Sequence, residues 1–186
     1  IMTERFIAGG IATPESRIIG RNEEMVKDIH YPCWLKRGDG CAQQKEDTCY
    51  VQNEQEAEAL LKEFWLRGIT SVVVNEHLKG DLIKFYGVSG TDFFYWFYPS
   101  NQHHSKFGLE VINGTAKGIP FNQDYMQQIC NEAARVLNIH IYGGDCIVSE
   151  EGEIRIIDFN DWPSFAPCRE EAAPYIARRI YELITK

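Results

Sequence analysis

Glu153-Ile154-Arg155-Ile156-Ile157-Asp158-Phe159-Asn160-Asp161-Trp162-Pro163-Ser164-Phe165 is the stretch that decides how the chain is read. Its apolar run is that of a buried strand. Because side chains alternate between the two faces of a strand, Asp158 and Asn160 emerge on the same side. Two oxygen ligands about 6 to 7 Å apart then stand at the strand's end, before Pro163 stops it. A carboxylate beside an amide oxygen suits a hard cation such as Mg2+, which takes oxygen donors and keeps part of its shell for water and phosphate. The same residues are also what a strand ending in an ordinary turn would carry.

Immediately before it, Gly143-Gly144-Asp145-Cys146-Ile147-Val148 reads as a second short strand, with Glu151-Gly152 as the hairpin turn between the two. A two-residue loop pairs Glu150 with Glu153 and brings Asp145 opposite Asp158, which makes three oxygen ligands in one cluster. A three- or five-residue loop would shift Asp145 by one or two places.

Further upstream, Tyr31-Pro32-Cys33-Trp34-Leu35-Lys36 is expected to be a strand that runs into Arg37-Gly38-Asp39-Gly40-Cys41-Ala42-Gln43-Gln44. A cation at a strand's end, ahead of a small glycine-bearing loop, can hold phosphates: the backbone N–H groups approach the oxygens and the lysine supplies charge. A plain hairpin carries the same pattern. Ile1 to Gly10 reads as the end of a helix, Arg17 to Ile19 as a strand and Glu23 to Ile29 as a short helix. A helix capped by Asn53 runs to Gly68, and Ser71 to Val74 is a buried strand that flows into Asn75-Glu76-His77-Leu78-Lys79-Gly80-Asp81. Leu82 to Val88 is a strand carrying Lys84, Phe93 to Tyr98 is an aromatic strand, and a helix opens at Asn122 or Gln123 and ends at Leu137. Arg169 to Thr185 closes the chain as a helix with Ala173, Ile176, Ile180 and Leu183 inward. The polar stretch from Pro99 to Asn122 holds His103, His104, Ser105 and Lys106. It reads as a solvated or substrate-facing loop, since adjacent histidines point in different directions.

With 186 residues, 44% of them hydrophobic and 25% charged, the chain has the composition of a soluble globular protein. Its net charge of -8 argues against a nucleic-acid surface, which needs a basic footprint. Six cysteines without a C-x-x-C pair read as reduced thiols of a cytoplasmic protein. The longest apolar run, Phe93 to Tyr98, is too short to span a bilayer, so no membrane partner is expected.

Four motifs, Tyr31 to Lys36 with its glycine loop, Val72 to Gly80, Gly143 to Asp145 and Ile157 to Asn160, fall in the order and approximate spacing of the ATP-grasp superfamily. The chain resembles that superfamily over nearly its whole length. The resemblance implies an α+β fold of two subdomains whose antiparallel sheets grip a nucleotide between them. Residues 1–76 would be the central subdomain, with the end of a preceding helix at 1–10, and residues 77–186 the C-terminal subdomain with the metal site. A further N-terminal domain would stand upstream, because Ile1 is not a native start. Carried over by position, Lys36 resembles the lysine on the nucleotide's α/β phosphates, and the loop with Gly38 and Gly40 resembles the phosphate cover. Glu76, His77 and Leu78 resemble the adenine hinge, and Asp81 is nearest to the family's acidic ribose ligand. Asp145, Asp158 and Asn160 match the triad that holds Mg2+, or Mn2+ in its place, on the β and γ phosphates of ATP. Lys84 takes the place of a catalytic basic residue reaching phosphate or substrate.

The activity implied is phosphoryl transfer from Mg-ATP to a small-molecule substrate. The leading form is a carboxylate-amine or carboxylate-thiol ligase acting through an acyl phosphate. The alternatives are a small-molecule kinase like the inositol-phosphate kinases and a nucleotide-binding regulatory module. Many amino-acid ligases place an arginine two residues before the first metal-binding aspartate, where this chain has Gly143.

Overall fold

The computed structural model describes residues 2–25, 27–99 and 112–185. It is a mixed α+β structure with two antiparallel four-stranded sheets. It forms two compact units, one of Pro14–Leu78 and the other of Met2–Thr13 with Lys79–Lys186. The chain opens with helix α1 (Met2–Ala8), which packs in the second of these. Among the described residues no helix is long and apolar enough to cross a membrane.

The first unit contains β1 (Ser16–Gly20), β2 (Cys33–Arg37), β3 (Thr48–Val51), α2 (Glu54–Leu66) and β4 (Ser71–Glu76), with the strands in the order β1-β4-β2-β3. Asn53 starts α2 as expected, its side chain accepting the Glu56 N–H at 2.9 Å. The helix buries Ala57, Leu61 and Phe64 against Ile19, Leu35, Val51, Val72 and Val74. Each of the larger side chains contributes about 1.5–3 kcal/mol on leaving water. The short helix expected at Glu23 to Ile29 does not form among the described residues. Asn22 and Asp28 take left-handed backbone conformations, and the Glu23 carboxylate closes a turn by accepting the Gly20 N–H at 2.7 Å.

The second unit contains β5 (Asp81–Val88), β6 (Phe94–Phe97), α3 (Gln123–Leu137), β7 (Ile141–Val148), β8 (Ile154–Asp161) and α4 (Arg169–Ile184), with the sheet order β6-β5-β7-β8. On one face Ile83, Phe85, Tyr142, Cys146, Ile156 and Phe159 pack with Met126, Cys130 and Ala133 of α3. Phe6 of α1 joins this core, edge-on to Phe159 at 5.9 Å, which is why the opening helix lies here and not with the unit that follows it in sequence. The other face is covered at one end by α4, where Ala172 and Ile176 meet Val88, Phe93, Ile141 and Phe165. The inward face of α4 therefore runs through Ala172, Ile176 and Arg179. The expected stripe of Ala173, Ile180 and Leu183 is exposed. The Arg179 stem is buried and its guanidinium meets His140 Nδ1 at 3.1 Å, so a charged side chain takes a position that periodicity would give to an apolar one.

Candidate functional site

In the second unit three adjacent strands bring chemistry to one row. Lys84 on β5 pairs with Asp145 on β7, and Asp145 pairs with Asp158 on β8. The Asp145–Asp158 pairing is the one a two-residue loop would give, yet the loop has three residues, Glu150 to Gly152. Ser149 N–H donates to Glu153 O at 2.9 Å, and Val148 pairs with Ile154. A β-bulge between Cys146 and Asp145 inserts Ile157 as the extra residue and restores the register. The row lies on the face opposite the Phe85–Phe159 core, because Ile83, Phe85 and Cys146 alternate with it.

The Lys84 ammonium donates to both oxygens of Asp145, at 2.9 and 3.2 Å, and both side chains are mostly buried. Asn160, facing Gly143 across the hairpin, donates its amide N–H to Asp158 Oδ2 at 2.9 Å. That contact turns the amide carbonyl into the donor atom Asn160 can offer a cation. Two carboxylates and an amide form the set. Among the described residues no three His, Cys, Asp or Glu side chains come together as a metal cluster. Tyr86 flanks the row and stacks on Phe97 at 6.4 Å; burial raises its phenol pKa, with Lys84 lowering it and Asp145 raising it. The lysine–aspartate pair was not anticipated, although the cross-strand register of β5 and β7 carried the signal.

The glycines beside Asp145 are required by close approach. A Cβ at Gly143 would come within 2.9 Å of Phe85 O and of the Tyr86 and Pro163 side chains. No arginine fits there on this backbone. Asp81 has a different place from the one the resemblance implied. It is 3% exposed, and its two carboxylate oxygens accept the backbone N–H groups of Lys117 at 2.7 Å and Ile119 at 2.8 Å. It clamps the segment ahead of α3 to the start of β5. His103, His104, Ser105 and Lys106 lie outside the described residues.

In the first unit Lys36 sits on an interior strand, between Thr48 and Val73. The loop after it is anchored by two carboxylates. Asp39 accepts from Arg37 Nε at 2.6 Å and from Thr70 N at 2.8 Å. The fully buried Asp47 accepts from Gln43 N at 2.8 Å, from Gln44 N at 3.2 Å and from Arg67. Burial raises the pKa of both carboxyls, but these hydrogen bonds and the arginine charges outweigh it and hold them below the ordinary value. Gly38 N–H donates to Ser71 O at 2.8 Å, and a Cβ there would lie 2.7 Å from Ser71 Oγ. Gly38 is thus set by strand approach, and Gly40 has no such constraint. Glu76 ends β4, its carboxylate accepting the Glu15 N–H at 2.8 Å. His77 Nδ1 accepts the Trp34 indole N–H at 3.2 Å, with Tyr50 edge-on to the imidazole at 5.1 Å. Leu78 is the last residue of the unit.

This arrangement of elements is the ATP-grasp fold. No protein-family model and no curated protein matches the chain. Among solved structures it is similar to the D-alanine–D-alanine ligase of Bacillus anthracis complexed with ATP, with a TM-score of 0.70 and 17% identity over 98% of this chain and 63% of that one. A second structure of the Bacillus anthracis ligase gives 0.66 and 14% identity over 97% and 64%. The Coxiella burnetii D-alanine–D-alanine ligase gives 0.63 and 15% identity over 88% and 47%. The chain spans less than two thirds of the length of these ligases.

Proposed function

We propose that the chain carries the Mg-ATP site of an ATP-dependent ligase. The observation that carries this reading is the row of Asp145 and Asp158, with Asn160 beside it, on a sheet of the ATP-grasp fold. Asp158 and Asn160, with Asp145 beside them, are the residues that would face Mg2+, and the ion would supply charge neutralisation at the nucleotide's terminal phosphates. Lys84 adds a fixed cation to the same face. Asp81 is left out of the site because its carboxylate is engaged by Lys117 and Ile119.

In a ligase reaction a carboxylate oxygen of the acceptor bonds to the γ-phosphorus as the bond to ADP breaks. An amine nitrogen then attacks the acyl carbon, loses a proton, and phosphate leaves. The protein's part is to position the groups and neutralise charge. The backbone around Gly143 excludes the arginine that many amino-acid ligases place there, which weighs against a D-alanine-ligase-like acceptor site without choosing between a carboxylate and a hydroxyl acceptor.

Calorimetry of ATP binding with and without Mg2+, in the wild type and in Asp158→Asn and Asn160→Ala, tests the site. Both variants are expected to lose the Mg2+-dependent part of the affinity while keeping their far-UV circular dichroism. Unchanged affinity in both would remove the metal site from consideration. ADP release that requires both a carboxylate and an amine supports the ligase, and a phosphorylated alcohol supports the kinase.

A further inference from the structure

The middle of β5 is apolar but for one residue. Leu82, Ile83, Phe85, Tyr86 and Val88 surround Lys84. A strand that pairs on both sides ordinarily fills such a position with an apolar or β-branched side chain. Here an ammonium stands directly across from Asp145 and donates to both of its oxygens, with 19% and 22% of the two side chains exposed. Little solvent screens the pair, so it neutralises the carboxylate far more effectively than a surface ion pair does. Asp158 stands one strand further from Lys84, and among the described residues no cation is paired with it. It receives the Asn160 amide N–H, a neutral donor, at 2.9 Å.

We propose that Lys84 takes the place of a second metal ion at Asp145, so that the site accepts one divalent cation, on Asp158 and Asn160, where its donor set could otherwise take two. The inference rests on the Mg-ATP reading above. A second divalent ion on Asp145 would have to share that carboxylate with the ammonium at contact distance or displace it, and like charges so close in a half-buried site repel strongly. The lysine thus fixes the metal stoichiometry. It also makes Asp145 a positioning residue for the ammonium, and not a metal ligand.

The test is a titration of Mn2+ into the protein holding a saturating non-hydrolysable ATP analogue, followed by the electron paramagnetic resonance signal of free Mn2+. The wild type and Lys84→Arg are expected to bind one ion per chain, and Lys84→Met two. Asp145→Asn should keep its single ion with less than about tenfold loss of affinity. Asp158→Asn should weaken it by more than the roughly 10- to 100-fold that follows loss of an outer-sphere partner. Two ions in the wild type, or loss of the ion in Asp145→Asn, would overturn the proposal whether or not Lys84→Met folds. One ion in a folded Lys84→Met would overturn it as well. Failure of the folded wild type to bind the analogue by calorimetry is a separate result. It would remove the Mg-ATP reading and this inference with it.

Discussion

Replacing Asp81 by asparagine separates a structural carboxylate from a ribose ligand. The side chain is 3% exposed and accepts two backbone N–H groups, from Lys117 at 2.7 Å and from Ile119 at 2.8 Å. Asparagine keeps one acceptor oxygen. One N–H would therefore retain a neutral partner, and the other would face an amide NH2 in a buried site. A hydrogen bond to a charged group contributes about 1.5–3 kcal/mol and a neutral one about 1. The expected loss, one charged bond removed and one weakened to neutral, is then about 2–5 kcal/mol, a large part of the roughly 5–15 kcal/mol that holds a domain folded. With a urea slope of about 2 kcal/mol per molar, the unfolding midpoint of the second unit should fall by about 1–2.5 M. ATP and 2′-deoxy-ATP, measured by calorimetry under conditions where the variant is folded, should each bind as they do to the wild type. An unchanged urea midpoint, together with a loss of affinity for ATP that 2′-deoxy-ATP does not share, would refute the clamp and restore Asp81 to the ribose.

Three further outcomes follow from the same geometry. The depressed carboxyl of Asp47 adds stability that is present above its ordinary value of 3.8 and is lost as the pH falls through its lower folded value, so Asp47→Asn should flatten the acid-unfolding curve of the first unit in that window, read by circular dichroism. Cys41 is exposed, while Cys33 and Cys168 are buried with thiols pushed up to about 11 by burial, so a thiol reagent at pH 8 should modify Cys41 first and reach the buried cysteines only on unfolding, as peptide mapping would show. Gly144→Ala should cost at least the ~1–3 kcal/mol of an overpacked core, because its Cβ would overlap Asp158 O and lie 2.8 Å from Phe85 Cζ; thermal melting checks it, and Mg2+-dependent nucleotide affinity should fall with it.

Elements whose signals are local were legible in the sequence. Asn53 and Asn122 each precede a helical apolar stripe, and each caps its helix by accepting an N–H three residues on, from Glu56 and from Tyr125. The β-branched run of β4 and the aromatic run of β6 were equally plain. Features decided by tertiary contact were not. The stretch at Glu23 to Ile29 has helical spacing, but left-handed Asn22 and Asp28 override it. The inward face of α4 is displaced by a residue because the small Ala172 packs with Val88 and Phe93 and the Arg179 guanidinium reaches His140. Asp81 lies one residue after the positive-φ Gly80, in a segment that looks like a ligand-bearing turn. Its true partners, Lys117 and Ile119, come from a distant segment with no pattern of its own. Lys84 could be placed on a strand from its neighbours, but its ion pair needed the β5–β7 register, which no local signal supplies.

The pairing of the two aspartates shows how a correct reading can rest on two features that compensate. With the three-residue turn alone, Val148 opposite Ile154 would continue to Asp145 opposite Ile157, and Asp158 would stand across from Gly144. A one-residue slip moves a side chain to the other face of the sheet, so Asp158 would point toward Phe85 and the apolar core. An unpaired carboxylate there would be driven to neutralise and could hold no cation. The extra residue at Ile157 turns the strand after Ile156, returns Phe159 to the core and brings Asp158 round to Asp145. Gly144 makes this possible, since only a residue without Cβ lets the Asp158 carbonyl approach β7 so closely. The metal row is therefore a property of the bulge and the glycine together, and the carboxylates act on a geometry that neither of them makes.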